Sequence, residues 1–476
     1  MRHRVAAVRG RIPRSALLTL PLVRTLHDGT VTSSSSSSRT GMLLGLQFGN
    51  GYGSQPDSWR MPGVDSAGYT DFDAMARHAR AAERGLLDFL FLPDGLGLED
   101  DLDRHPPKFS MEPILTLAAI ARATSRIGLV MTASSTYNDA YSLARQLKTL
   151  DVMSHGRVGW NAVPTSGELA AGNFGRAALG RQEKYERLHE MVQIMQGLWG
   201  SWGEDAWIED AETGRFADAS KVRAVNMAGR HVASRGPLAI PPSEQGQPVI
   251  FQAGGGGNGA AVAGRYANGV IGAAFSIEDA RAQRTMLRRA AADAGRDPDE
   301  VKFFAGVMPA LGRDRRDALD RRLLLGRDTL PQRVPYLGLL LNLHLTEERL
   351  DTPLTPAELV AARPSPGDPR AGRALEVARE GWTVREILAH GVIDYHPTPV
   401  GSAADIADHL QEWYEAGAVD GFWVSVDVYE DGVDAFVDQV VPVLQDRGLF
   451  HREYEGTTLR DHLGAPHQYG LDPRLS

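Results

Sequence analysis

The sequence predicts an α/β protein folded as a (β/α)8 TIM barrel with long insertions at its C-terminal face, and three observations carry that expectation. Short runs apolar on both faces alternate with helical stretches, the pattern of parallel strands covered by helices. Eight such strand–helix pairs can be marked off, the number that closes a barrel. A length of 476 residues with 42% hydrophobic content suits one large barrel with an ample core.

In chain order, strands are expected at 43–48, 89–92, 127–133, 158–163, 249–253, 270–275, 301–311 and 422–426. The helices between and after them are expected at 71–84, 112–123, 140–153, 183–198, 259–267, 277–294, 403–416 and 433–445. Two stretches break the rhythm. Residues 202–242 are rich in Gly, Pro and Asp and read as an excursion of loops and short strands. Residues 313–399 far exceed one crossover and contain Pro364-Ser-Pro-Gly-Asp-Pro. They read as a lid over the site, with a packing elaboration as the alternative. The barrel is thus expected over 42–450, with 451–476 a tail packing on it.

Residues 1–41 stand apart. Arg2, Arg4, Arg9, Arg11, Arg14 and Arg24 occur without an acid in the first 27 residues, and a serine tract follows at 33–38. The apolar run at 16–23 is short for a targeting segment and no small-residue cleavage site follows it. The stretch reads as a disordered extension or the product of a start codon set too early, because it cannot bury enough surface to pack.

Composition narrows the chemistry. A net charge of −9 argues against a nucleic-acid binder. No run of about 18 apolar residues exists, so no membrane helix is expected and the protein reads as cytoplasmic. With no cysteine, disulfides, thiolate nucleophiles, iron–sulfur clusters and thiolate zinc sites are all excluded. The histidines lack ligand spacing, so no metal is expected. Demanding chemistry must come from a borrowed cofactor.

Three segments could hold one. Gly254-Gly255-Gly256-Gly257-Asn258-Gly259 follows a strand and opens a helix, and Glu278 lies about 20 residues on, as in a dinucleotide fingerprint. At least four strand–helix units precede it, so a phosphate-binding turn is the better reading, with a purely structural glycine turn the alternative. The strand ending Trp160-Asn161 offers a flat apolar wall and an amide that can pair with a heterocycle edge; a core tryptophan beside a turn asparagine is the other reading. Arg181 and Tyr185, four apart at a helix start, share a face and could clamp a phosphate.

An ordered set of short matches extends these segments: Trp59-Arg60-Met61-Pro62, Phe91-Leu92-Pro93-Asp94, Glu112-Pro113, 127–137, Leu150-Asp151, 156–163, Asn173-Phe174-Gly175, Leu198-Trp199, Gly236-Pro237-Leu238, Gln252-Ala253-Gly254 and 447–463. Over about residues 42–465 the chain resembles the bacterial luciferase-like flavin-dependent monooxygenases. The similar branch is that of nitrilotriacetate monooxygenase component A, dibenzothiophene-sulfone monooxygenase and pristinamycin IIA synthase.

The resemblance implies FMN as cofactor, reduced by a separate NAD(P)H:FMN reductase and delivered by diffusion. It implies O2 as co-substrate and insertion of one oxygen atom into a small organic molecule through a flavin C4a-(hydro)peroxide. By position, Asp94 and Thr132 would contact the isoalloxazine, Asn161 would lie beside the ring, and Tyr185, Gly254, Gly255 and Gly256 would surround the phosphate. This chain departs from the family pattern in Val163-Pro164-Thr165 after Trp-Asn-x, in Arg181 where His is usual, and in Gly256 where Ser is usual. Trp160, Asn161, Thr165, Tyr137 and Asp139 are the candidate catalytic or wall residues. A homodimer or homotetramer is expected. A deazaflavin-dependent oxidoreductase on the same barrel, or a flavin-binding protein without turnover, are the alternatives.

Overall fold

Eight parallel strands close into a barrel in chain order: β1 Leu43–Gln47, β2 Phe89–Leu92, β3 Gly128–Ser134, β4 Val158–Val163, β5 Val249–Ala253, β6 Gly269–Gly272, β7 Lys302–Val307 and β8 Gly421–Val424. The helices outside them are α1 Phe72–Arg84, α2 Pro113–Ala123, α3 Ala140–Met153, α4 Arg181–Trp199, α5 Gly257–Tyr266, α6 Ile277–Asp293, α7 Ala403–Glu415 and α8, which starts at Tyr429–Ala435 and continues to Asp446. The computed structural model describes residues 41–49, 51–98, 101–109, 111–254 and 257–471. The expected extension lies, except for Gly41, outside the described residues, as do Gly255 and Gly256. Among the described residues no helix is long and apolar enough to cross a membrane.

Strand alternation divides the core in two. Leu44, Leu46, Leu90, Leu129, Met131, Trp160 and Val270 join the helices in the larger cluster. Leu43, Phe89, Phe91, Val130, Val249, Phe251, Phe304 and Trp423 form the smaller cluster inside the barrel. Phe89, Phe251 and Phe304 touch one another with ring centroids 5.0–6.0 Å apart. A Cβ at Gly45 or Gly269 would come within 2.3 Å of the Phe89 or Phe251 ring, so glycine is required where those phenyls cross. The barrel is therefore filled by a phenyl layer, and only its C-terminal mouth can take a ligand.

The opposite end is closed by the chain after α8. Helix Leu459–Leu463, started by a Thr458–Asp461 capping box, places Leu459 and Leu463 in the interior cluster. Its first amide donates to the Gly156 carbonyl at 2.9 Å.

Several boundaries differ from expectation for local reasons. The seventh strand leaves the barrel after Val307, because the Met308, Ala310 and Gly312 amides donate instead to Pro397, Pro399 and Gly401 where the long insertion returns. The sixth and eighth strands end at Gly272 and Val424. Helix α8 widens into a π turn over Phe436–Val440, just before Pro442, which has no N–H to continue the regular ladder.

Within 202–242 lie two short antiparallel hairpins. Within 313–399, helices Leu330–Leu341, Ala371–Arg379 and Val384–Ala389 pack a cluster of their own around Val334, Leu337, Leu341, Val377 and Ile387. Buried Asp394 ties this helical body to itself through Arg322 and Arg333, while Arg321 forks onto Asp427, just past β8, and Asp431 in the first turn of α8.

Candidate active site

Polar side chains gather on the mouth side of the phenyl layer. Thr132 and Asn161 are register partners on β3 and β4. The Asn161 amide nitrogen donates to Thr132 Oγ1 at 2.9 Å, fixing the amide's orientation. Its oxygen is buried and has no partner among the described residues, and the residue is 2% exposed. An orphaned buried acceptor costs about 1–3 kcal/mol, so it marks a place where a donor belongs. Across the mouth, Ser425 at the end of β8 donates to Gln47 Oε1 on β1 at 2.9 Å.

After β5 the chain turns at Gly254 with φ +125°, a conformation that side chains other than glycine's rarely adopt, and α5 begins at Gly257. Helix α4 runs beside α5: the Tyr266 hydroxyl lies 2.8 Å from His189 Nδ1. Arg181 is eight residues before His189, and Gly257 nine before Tyr266. In parallel helices rising about 1.5 Å per residue, the first turn of α4 is thus level with the start of α5. That brings exposed Arg181 and half-buried Tyr185 alongside the start of α5.

Asp94, half-buried just past β2, supplies an ionisable group at the same rim. Burial, reinforced by the Glu112 carboxylate, pushes it up to about 6, and a hydrogen bond from the Gly95 amide only partly offsets this.

The luciferase-like monooxygenase family model matches residues 45–420. The N-acetyl-S-(2-succino)cysteine monooxygenase of Bacillus subtilis (strain 168) is 38% identical over 440 residues, covering 90% of this chain and 98% of that protein. The dibenzothiophene-sulfone monooxygenase of Rhodococcus erythropolis is 38% identical over 401 residues, 81% of this chain and 88% of that one.

The chain belongs to the luciferase-like monooxygenase family.

It is accordingly an enzyme, a flavin-dependent monooxygenase. The riboflavin lyase structure holding modified FMN and riboflavin superposes with a TM-score of 0.72 at 27% identity, covering 89% of this chain and 96% of that one.

In this monooxygenase two of the expected site residues face elsewhere. Trp160 is fully buried on the helix side of β4, stacked edge-on against Trp199 at 6.2 Å, with its indole N–H on the Ala133 carbonyl. It cannot line the mouth if Asn161 does, because adjacent strand residues point to opposite faces. Asp139 is exposed and caps α3, accepting from the Ser142 amide at 3.0 Å. Thr165 remains on the rim, its carbonyl accepting from the Thr136 hydroxyl. Tyr137 stacks on Phe174 with centroids 4.5 Å apart, and its buried hydroxyl lacks a partner among the described residues.

The fold also brings in residues that the sequence reading missed. Gln47, Ser425, Trp423 and His396 all reach the mouth or its wall. For the first three, the period-two alternation of β1 and β8 was an available signal. His396 had none, since it lies at the far end of a long insertion. Between that insertion and the barrel is a cavity of about 740 Å³, lined among others by Phe275, Arg373, His390, His396, His409 and Trp413.

Proposed function

We propose that the enzyme is the oxygenase component of a two-component system, taking FMN reduced by a separate NAD(P)H:FMN reductase and, with O2, placing one oxygen atom on a small organic substrate. The carrying observation is the buried, unpartnered Asn161 oxygen above a solid phenyl floor, with a glycine turn opening a helix at the neighbouring strand end. A flavin fits that combination: its heterocycle edge offers N–H donors to the amide, and its phosphate suits the turn. Bound reduced FMN supplies the activation of O2.

The protein's part is then to bind, orient and keep water out. Thr132 and Asn161 would hold the polar edge of the ring, and Asp94 would face it from β2. Gly254, Gly255, Gly256, Arg181 and Tyr185 would hold the phosphate, Arg181 giving a charge-assisted bond. Thr165 and Tyr137 would border the reacting edge. The large cavity under the insertion is of the size that small ligands occupy, which makes it the candidate substrate chamber. Both relatives named above oxidise, by their names, compounds containing carbon–sulfur bonds, so organosulfur compounds are the first class to try.

The test has two parts. The protein should bind FMN and, when the flavin is reduced, consume O2 in the presence of an accepted substrate with product formed; failure to bind FMN would sink the reading. Arg181→Ala should weaken FMN by the equivalent of about 1.5–3 kcal/mol while leaving riboflavin, which has no phosphate, nearly unchanged. Equal losses for both flavins would remove Arg181 from the phosphate.

A further inference from the structure

His396 presents an arrangement that packing alone does not account for. The imidazole is 3% exposed, and neither ring nitrogen has a hydrogen-bond partner among the described residues. It lies edge-on against Trp423 with centroids 4.7 Å apart, and the Trp423 indole nitrogen is likewise buried and without a partner among the described residues. Both rings reach the barrel interior. Trp423 belongs to the interior cluster on β8, and its register partner on β7 is Gly306. A Cβ on Gly306 would come within 2.4 Å of His396 Nδ1, so β7 needs glycine there to admit the imidazole.

The backbone that delivers His396 is held firmly. Pro397 and Pro399 carbonyls accept from Met308 and Ala310 at 2.9 Å each. Nearby Asp394 is fixed by Arg322 and Arg333 and accepts from the Thr398 hydroxyl. Burial pushes the His396 imidazole down to about 4, so at neutral pH it is uncharged, with one N–H and one lone pair to offer.

Strand order sets where this pair stands. β7 and β8 lie on the far side of the barrel from β3 and β4, which carry Thr132 and Asn161. A flat heterocycle spanning the mouth would meet Asn161 at one edge and the His396–Trp423 pair on the opposite side. Leaving an indole N–H and an imidazole unpaired in the interior is costly unless a ligand completes them.

We propose that His396, delivered by the returning end of the long insertion, together with the Trp423 indole, hydrogen-bonds the isoalloxazine ring of the bound flavin from the side opposite Asn161. The proposal rests on the FMN reading above. It gives the insertion a direct part in the flavin site as well as in roofing the cavity whose wall His396 also forms.

The test is titration of the full-length protein with FMN and with riboflavin, followed by flavin fluorescence and visible absorption. His396→Phe keeps a ring against Trp423 but offers no hydrogen bond; His396→Gln restores a donor. His396→Phe should weaken FMN and riboflavin alike by about tenfold and shift the visible band of the bound flavin. His396→Gln should recover most of the affinity and the wild-type band, a rescue that a packing role would not produce. Trp423→Phe should give a smaller loss of the same kind, and carries the comparison if His396→Phe does not fold. Wild-type affinity and spectrum for both flavins in these variants, or a loss confined to FMN, would overturn the proposal. Failure of the unmodified protein to bind either flavin would instead overturn the FMN reading, so the two are separable.

Discussion

Asn161 and Trp160 are neighbours in the chain and strangers in the fold. The amide of Asn161 is held by Thr132 inside the mouth, whereas the Trp160 ring anchors the same strand end from the helix side. A positioned dipole at a flavin edge should govern what the flavin does more than whether it binds. Asn161→Asp, nearly isosteric, should leave FMN affinity within about threefold, a difference below 1 kcal/mol, yet release more hydrogen peroxide per O2 consumed and form less product. Product yield per O2 equal to wild type would make Asn161 structural. Asp94 makes a different prediction. Its folded value of about 6 lies above the unfolded 3.8, so the native state binds that proton more tightly. The cost of ionising it is absent at low pH, accrues as pH rises through 3.8 to 6, and is complete above 6. Asp94→Asn should therefore raise the unfolding temperature at pH 7.5, with the gain shrinking as pH falls toward 4. A gain independent of pH would contradict the assignment. The sequence made the mouth positions of Asn161, Thr132 and Asp94 legible because they lie near the C-terminal ends of strands. For Trp160 the core-tryptophan alternative holds, because adjacent residues of a strand point to opposite faces.

At the scale of elements, the segment Gly156 to Asn161 shows how one motif divides its labour. Arg157 is a rivet, its guanidinium bonded to the carbonyls of Ala121, Thr124, Ile127 and Ser154 and to the Thr124 hydroxyl. Gly159 leaves room for Phe251 and Leu459 inside the barrel. Only Asn161 addresses the mouth. Helix α4 is similarly shared: its first turn flanks the glycine turn, while Glu190 further along accepts from the amides of Arg230, His231 and Val232 at 2.7–2.9 Å. That carboxylate pins the hairpin excursion to the barrel. Glu190→Ala should lower stability by about 1.5–3 kcal/mol and open the 202–242 stretch to limited proteolysis, with FMN affinity retained. An unchanged protease pattern would show that the excursion is held by other contacts. The excursion's looped character was readable from its Gly, Pro and Asp content. Its anchor was not, because a glutamate about 40 residues away leaves no local pattern.

At the scale of the whole molecule, the strand–helix rhythm was the most legible property, since each strand is buried on both faces and each helix on one. Least legible were contacts made across long sequence separations: His396 against Gly306, and Leu459 beneath Gly128 and Gly159. Leu459 makes the latter testable. Leu459→Ala should cost about 2–5 kcal/mol of stability through the cavity it leaves, without affecting FMN binding at the opposite end of the barrel. A comparable loss of flavin affinity would mean that the phenyl layer transmits strain from floor to mouth.

The floor helix comes after all eight strands in chain order, and this has a consequence for biogenesis. During translation, β1 can pair with β8 only once nearly the whole chain has emerged, and the closed ring still lacks its base until Leu459 and Leu463 arrive. Until then the lower side of the phenyl layer is wetted and sticky, the kind of surface that chaperones hold. A chain interrupted just upstream of Leu459 would carry every residue of the flavin site and still be a poor candidate to survive surveillance in the cell.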